Sequence, residues 1–393
     1  VVTLKDLEQE ALLNNPEIHM ADKKAESADD RKSLAAAMPD PMIGYMVQNV
    51  GSPVTWSVGK EDMSMQGFVF TQEIPFPGKL STMGHAAEKA AEREQENARE
   101  IRLRVLAGLR TTYYDYYLAH RSTEILTRTR DLMKDVQQIT ETRYGTGQGT
   151  QQDVLRAQLE VLMLLDKLAE EERKREAQAA LINSLVGRNP LANLGRPAEL
   201  PRPSLEKSAE DLAAMAEAHS PMLQGKQRMV EQSAFEVSSR KKDFLPDMLL
   251  SGGWFTRGDK PDVWSASLMF KVPLYFWNKS TGVKAANADL LSSKFDYDAA
   301  KLSVLARVRE LYSAAMTAEH HLNLYSTGII PQAGQALQSA TSNYRVGKTD
   351  FMSLLDSQGL LLKYQLMEQE ELVNLHKTLS MIGEMTGEEQ HGE

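Results

Sequence analysis

Two glycine-rich stretches invite a phosphate-binding reading. Gly145-Thr-Gly147-Gln-Gly149 sets three glycines in five residues, and Gly347-Lys348-Thr349 ends like a P-loop, where lysine meets phosphate and a hydroxyl meets magnesium. The first lacks the G-x-G-x-x-G spacing and has no strand before it, while the second has Ser342 where the leading glycine must stand. Both read as helix reversals. The eight histidines show no ligand spacing, and adjacent His320 and His321 point about 100° apart on a helix. With no cysteine there are no disulfides, thiolate metal sites or cysteine nucleophiles. Nineteen methionines are potential soft ligands, and Met38, Met42, Met46, Met63, Met65 and Met83 cluster early, but they read as apolar filler. The runs Glu170-Glu171-Glu172 and Glu368-Gln369-Glu370-Glu371 read as solvated helix faces. No catalytic residue, metal site or cofactor is nominated, so the expectation is a protein that is not an enzyme.

Composition narrows the remaining classes. A chain of 393 residues with 42% hydrophobic content can bury a substantial core, while a net charge of -9 offers no basic footprint for nucleic acid. No uninterrupted apolar run approaches about 18 residues, so a bilayer would be met by strands or at its surface. The first residues from Val1 lack the pattern of a secretory leader, which is expected to be absent or removed.

The elements that carry these residues come twice. Asp6-Leu7 and Met38-Pro39-Asp40 match Asp211-Leu212 and Leu245-Pro246-Asp247, and Phe70 with Ile74-Pro75 matches Phe270 with Val272-Pro273. Leu106-Ala107, Arg110 and Tyr113 match Leu305-Ala306, Arg309 and Tyr312; Tyr144, Gly147 and Gly187 match Tyr344, Gly347 and Gly387. A duplication with a period of about 200 residues is the expectation, with repeats over 1–200 and 201–393 and a proline-rich linker over 190–207.

Each repeat reads as helix, hairpin, long helix, helix. The first has a helix over about 4–37, a hairpin over 41–74, a long helix over 79–143 and a helix over 151–187. The second has a helix over 209–243, a hairpin over 247–274, a long helix over 280–343, kinked by Pro331, and a helix over 350–386. Val154, Val161 and Leu168, and likewise Leu155 and Leu162, recur at sevens, as do Leu354, Leu361, Leu355 and Leu362, marking a coiled-coil-like seam. Stacked end to end beside one long helix, two short helices build a tall cylinder wall. In the hairpins the period becomes two: Trp264, Ala266, Leu268, Phe270 and Val272 alternate with Ser265, Ser267 and Lys271, and Ile43, Tyr45 and Val47 with Gly44, Met46 and Gln48. Trp56, Trp254, Trp264 and Trp277 all fall in or beside the hairpins, as interfacial girdles would. Four strands cannot close a membrane barrel, so a membrane reading requires several copies.

Phe70-Thr-Gln-Glu-Ile-Pro-Phe-Pro-Gly-Lys79, Tyr144-Gly-Thr-Gly147 with Asp153-Val154-Leu155, and Tyr344-Arg-Val-Gly347 with Leu354-Leu355-Asp356 resemble the TolC-like outer membrane factor family, and its heavy-metal efflux branch in particular. The resemblance covers nearly the whole chain. It implies an α+β membrane protein: a homotrimer with a twelve-stranded transmembrane β-barrel, four strands per protomer, in the outer membrane of a Gram-negative bacterium. A long α-helical barrel would cross the periplasm, and the linker and C-terminal tail would join an equatorial belt. The implied function is the exit duct of a tripartite efflux system, conducting metal cations or other small toxic solutes. Its implied partners are outer membrane lipid, a periplasmic adaptor and, through it, an inner-membrane RND-type pump.

The resemblance also assigns residues. Gly147, Gln148, Gly149 and Thr150, with Gly347, Lys348, Thr349 and Asp350, would be adaptor-docking tips. Asp153 and Tyr344 match two members of the family's periplasmic latch, whose arginine position is Thr349 here, with Lys348 or Arg345 as stand-ins. Of the paired pore aspartates Ser353 replaces the first, and Asp356 keeps the second, where three copies would form a carboxylate ring. The competing reading is a periplasmic coiled-coil adaptor or structural protein without a barrel.

Overall fold

A computed structural model describes residues 1–49, 58 and 61–388. Trp56, most of the first hairpin's turn and residues 389–393 of the C-terminal tail lie outside the described residues. Thr3 opens α1 (Leu4–Asn14) by accepting the Asp6 N–H. The single helix expected over 4–37 is two helices, because Asn15 before Pro16 is held extended and α2 (Pro16–Ala36) starts afresh. The buried Asn15 side chain supplies the new start: its oxygen accepts from the Glu17 and Ile18 N–H groups at 2.8 and 3.2 Å, and its amide donates to Leu185 O at 2.7 Å. The second repeat breaks likewise at Ser220-Pro221, giving α5 (Ala209–His219) and α6 (Pro221–Lys242) in place of one helix over 209–243. Asn15→Ala removes the cap and orphans a carbonyl, an expected cost of about 2–3 kcal/mol in denaturant unfolding. Asn15→Asp keeps the cap, loses the donor and should fall between.

The long helices are α3 (Lys79–Gly145) and α7 (Phe276–Leu324), each leading towards a glycine reversal; α4 (Gln151–Leu185) and α9 (Phe351–Thr386) return. Pro331 is expected to kink its helix. A π-helical turn at Tyr325–Ile329 interrupts the helix just before it and leads into α8 (Ile330–Arg345), and Leu324 and Ile330 on either side keep right-handed helical dihedrals. The wider turn makes room for a proline ring that would otherwise press on the carbonyl four residues back. Among the described residues no helix is long and apolar enough to cross a membrane.

The packing units cut across the duplication. One comprises Val1–Ala21, Ala98–Pro221 and Lys301–Glu393, the other Asp22–Asn97 and Met222–Ala300. In the first, Tyr113 and Tyr116 bury their rings and send hydroxyls to backbone carbonyls of Val2 and of Leu194 and Gly195, which ties the linker to α3. Further along, Val161, Leu164, Tyr344, Phe351, Leu354 and Leu362 share one core, so the two repeats pack on each other there.

The second unit holds one antiparallel sheet, ordered β1 (Met42–Gln48), β2 (Met65–Ile74), β3 (Asp247–Arg257), β4 (Lys260–Lys271). The registers Tyr45↔Phe68, Phe68↔Trp254 and Trp254↔Trp264 line one face with Ile43, Tyr45, Phe68, Phe70, Leu250, Trp254, Trp264, Leu268 and Phe270. Every one of these is exposed. The opposite face carries Thr71, Glu73, Ser251, Ser265, Ser267 and Lys271, with a 2.9 Å contact between the Thr71 and Ser251 hydroxyls. Where β2 meets α3, Lys79 lies 3.0 Å from Asp247 and 3.4 Å from Asp243, and Asp247 also accepts the Phe76 N–H. This clasp joins the first repeat's Pro-Phe-Pro-Gly-Lys junction to the start of β3.

Candidate functional site

The two reversals are built alike. Gly147 takes φ +74 and Gly347 φ +76, left-handed values that cost other residues about 1–2 kcal/mol. Each ends its helix with the same pair of bonds: Gln148 N–H to Arg143 O at 2.8 Å and Gly147 N–H to Tyr144 O at 3.0 Å, then Lys348 to Asn343 at 2.9 Å and Gly347 to Tyr344 at 3.1 Å. The returning helices are capped at once. Thr150 accepts the Asp153 N–H while Asp153 accepts the Thr150 N–H, a capping box at the start of α4. Asp350 accepts the Ser353 N–H at 2.9 Å, and hydrogen bonds from Ser353 hold its carboxyl below the ordinary range. Of the eight tip residues, then, Thr150 and Asp350 spend their side chains on caps. Gly147, Gln148, Gly347 and Lys348 stand exposed, and Gly149 and Thr349 are half-buried.

Tyr344 lies inside this tip, only 3% exposed, with its ring centroid 5.6 Å from that of Phe351. Burial pushes its phenol up, the Asp153 charge adds to that, and Arg143 opposes it. The Arg143 guanidinium sits 4.7 Å from the Tyr344 ring centroid, donates to Tyr344 O and donates to Gln148 O at 3.1 Å. One side chain thereby grips both reversals. The cation on Tyr344 is thus Arg143, from the first repeat; Arg345 and Lys348 are exposed. The signal was in the alignment of the repeats, where Arg143 before Tyr144 faces Asn343 before Tyr344. Asp356 stays exposed on α9, in its second turn, with Ser353 one turn before it at the Asp350 cap.

The seven-residue pattern splits between two fates. Leu355 and Leu362 pack into the protomer's core, whereas their counterparts Leu155 and Leu162 are 57% and 62% exposed. Tyr144, the counterpart of buried Tyr344, is likewise 49% exposed. Among the described residues no three His, Cys, Asp or Glu side chains gather to hold a metal. His321 pairs with Glu371 at 3.0 Å. Of the methionine group, Met38, Met42, Met46, Met63 and Met83 are exposed.

The chain is 23% identical over 341 residues to the alkaline protease secretion protein AprF of Pseudomonas aeruginosa, covering 80% of this chain and 70% of that one. It is 20% identical over 385 residues to the cobalt-zinc-cadmium resistance protein CzcC of Cupriavidus metallidurans, covering 95% and 87%. The fold matches the outer-membrane channel OprN with a TM-score of 0.84 at 18% identity, covering 98% of this chain and 89% of that one. The sequence profile of the outer membrane efflux proteins matches residues 7–188 and 212–379, and so the chain belongs to the outer membrane efflux protein family, whose members are channels and not enzymes.

Proposed function

We propose that three copies of this chain close into a passive exit duct through the outer membrane, with a twelve-stranded barrel and a helical barrel reaching into the periplasm. The observation that carries this reading is the surface the duplication leaves uncovered. Leu155, Leu162 and Tyr144 are exposed on the first repeat while their counterparts are buried on the second, as if the other half of each contact belonged to another copy. The two-faced sheet supports it further. Its exposed apolar face is bounded at one end by the Trp254–Trp264 pair and is followed, past β4, by exposed Tyr275, Phe276 and Trp277. Trp264 to Lys271 alone spans roughly 23 Å of strand, close to the apolar band of a membrane barrel. A coiled-coil adaptor has no use for such a face.

In this reading Gly147, Gln148, Gly149, Thr150, Gly347, Lys348, Thr349 and Asp350 form the surface that docks a periplasmic adaptor, which links the duct to an inner-membrane RND-type pump. Asp153 and Tyr344 hold the periplasmic end closed, and Asp356 adds a ring of carboxylates at the entrance. The cargo is a metal cation or another small toxic solute, supported by the similarity to CzcC along nearly the whole chain. Outer membranes extracted in detergent should yield a particle of three copies that conducts ions in planar bilayers. A chain that stays monomeric and soluble without detergent would overturn the reading. Deleting the gene should raise sensitivity to cobalt, zinc or cadmium; lost secretion of an extracellular protein with metal tolerance unchanged would move the cargo to the class named by AprF.

A further inference from the structure

The internal repeat and the observed strand registers together specify how one copy's β4 meets the next copy's β1. Two equivalences set the scale. Asp40 and Asp247, each after a proline, lie 207 positions apart, and Pro75 and Pro273, which follow β2 and β4, lie 198 apart. The structure supplies an internal check. Carried by these steps, the β1–β2 partners Met42↔Thr71 become Leu249↔Met269, and Tyr45↔Phe68 become Gly252↔Ala266; both are observed partners in β3–β4. This check fixes only the sum of the two steps; how that sum divides between them, and with it the β4–β1 register, rests on the two proline landmarks.

The remaining pairing, β2–β3, joins the first repeat to the second within one chain. Its repeat-equivalent is β4 against β1, which are the two outer strands of the sheet and so cannot meet within one copy. Resting on the trimeric reading above, we infer that β4 pairs antiparallel with β1 of the partner subunit in one register. Phe70↔Gly252 carries over to Leu268 facing Tyr45 of the partner subunit. Gln72↔Leu250 carries over to Phe270 facing Ile43 of the partner subunit, and Val69↔Gly253 to Ser267 facing Met46 of the partner subunit. The side-chain faces agree without adjustment: Leu268, Phe270, Ile43 and Tyr45 all belong to the exposed apolar face, and Ser267 and Met46 to the opposite one. A slip by one residue would turn apolar side chains to the polar side. A slip by two keeps the faces and must be excluded by experiment.

The chain has no cysteine, so disulfide trapping has no background. Paired strand residues lie within disulfide reach, whereas partners displaced by two do not align. In the full-length protein in outer membranes, Leu268→Cys with Tyr45→Cys, and independently Ser267→Cys with Met46→Cys, should give covalent dimers and trimers on oxidation, reversed by reductant. The displaced pairs Phe270→Cys with Tyr45→Cys and Ser265→Cys with Met46→Cys should not. Thr71→Cys with Ser251→Cys should close within one chain and serves as the positive control. Cross-linking by the displaced pairs alone overturns the register while leaving the trimer standing. No intersubunit product from any pair in a particle sized as three copies overturns β4–β1 pairing. A monomeric particle overturns the trimer and this inference together.

Discussion

Replacing Gly67 with alanine is expected to abolish assembled protein. A Cβ at this position would sit 1.9 Å from the Trp254 carbonyl oxygen and 2.7 Å from Phe255 Cα, both backbone atoms that no side-chain rotation can clear. β2 and β3 would have to part where the two repeats are stitched together. The same spot holds the buried Phe255, whose ring also lies where a Cβ on Gly253 would go, at 2.6 Å. Gly253 makes room for that ring, and Phe255 is the register partner of Gly67, so parting the strands costs pairing and disturbs the aromatic packing, above about 3 kcal/mol. The loss should appear as a fall of about tenfold or more in folded protein recovered from outer membranes. Gly252→Ala is the control, because its Cβ would find its nearest neighbour, Ser265 O, at an ordinary 3.9 Å. Equal recovery of the Gly67 and Gly252 variants would show that the strands are not as close as described.

Arg143→Ala should loosen the tip without unfolding the protomer. The guanidinium stacks on Tyr344 and donates to carbonyls of both reversals, so its removal takes away a cation–π contact and two charge-assisted bonds, about 2–4 kcal/mol of local stability. In the proposed duct the expected result is a several-fold rise in single-channel conductance and in uptake of bulky antibiotics by cells. Arg143→Lys should fall between, since a point charge cannot span the three contacts of a planar fork. Arg345→Ala, at an exposed site, should leave conductance unchanged. If Arg345 controlled conductance and Arg143 did not, the grip described here would have no part in closure.

Much of the architecture is written in residue types. The alternation from Trp264 to Phe270 lies in β4, and the glycines matched between the repeats, 147 with 347 and 187 with 387, all take positive φ. What escaped had physical reasons. The breaks at Asn15-Pro16 and Ser220-Pro221 were legible as proline boundaries but were overridden by helical composition on both sides. The π-turn before Pro331 depends on how a helix absorbs a missing donor, which periodicity does not encode. Leu155 and Leu355 are the same residue in the same pattern, yet one is exposed and the other packed. Period alone marks an apolar stripe and not the element that covers it. At the tip the motif singled out Tyr344 and Asp153, but Arg143 lies outside the matched positions, and only packing puts it on the ring.

Lys79 belongs to the first repeat, and the two acids it clasps, Asp243 and Asp247, both belong to the second, at 3.4 and 3.0 Å. One cation thus bridges the end of α6 and the start of β3 at the point where the chain's halves meet. Added salt, which weakens partly exposed ion pairs, would slacken this joint while leaving the apolar contacts in place.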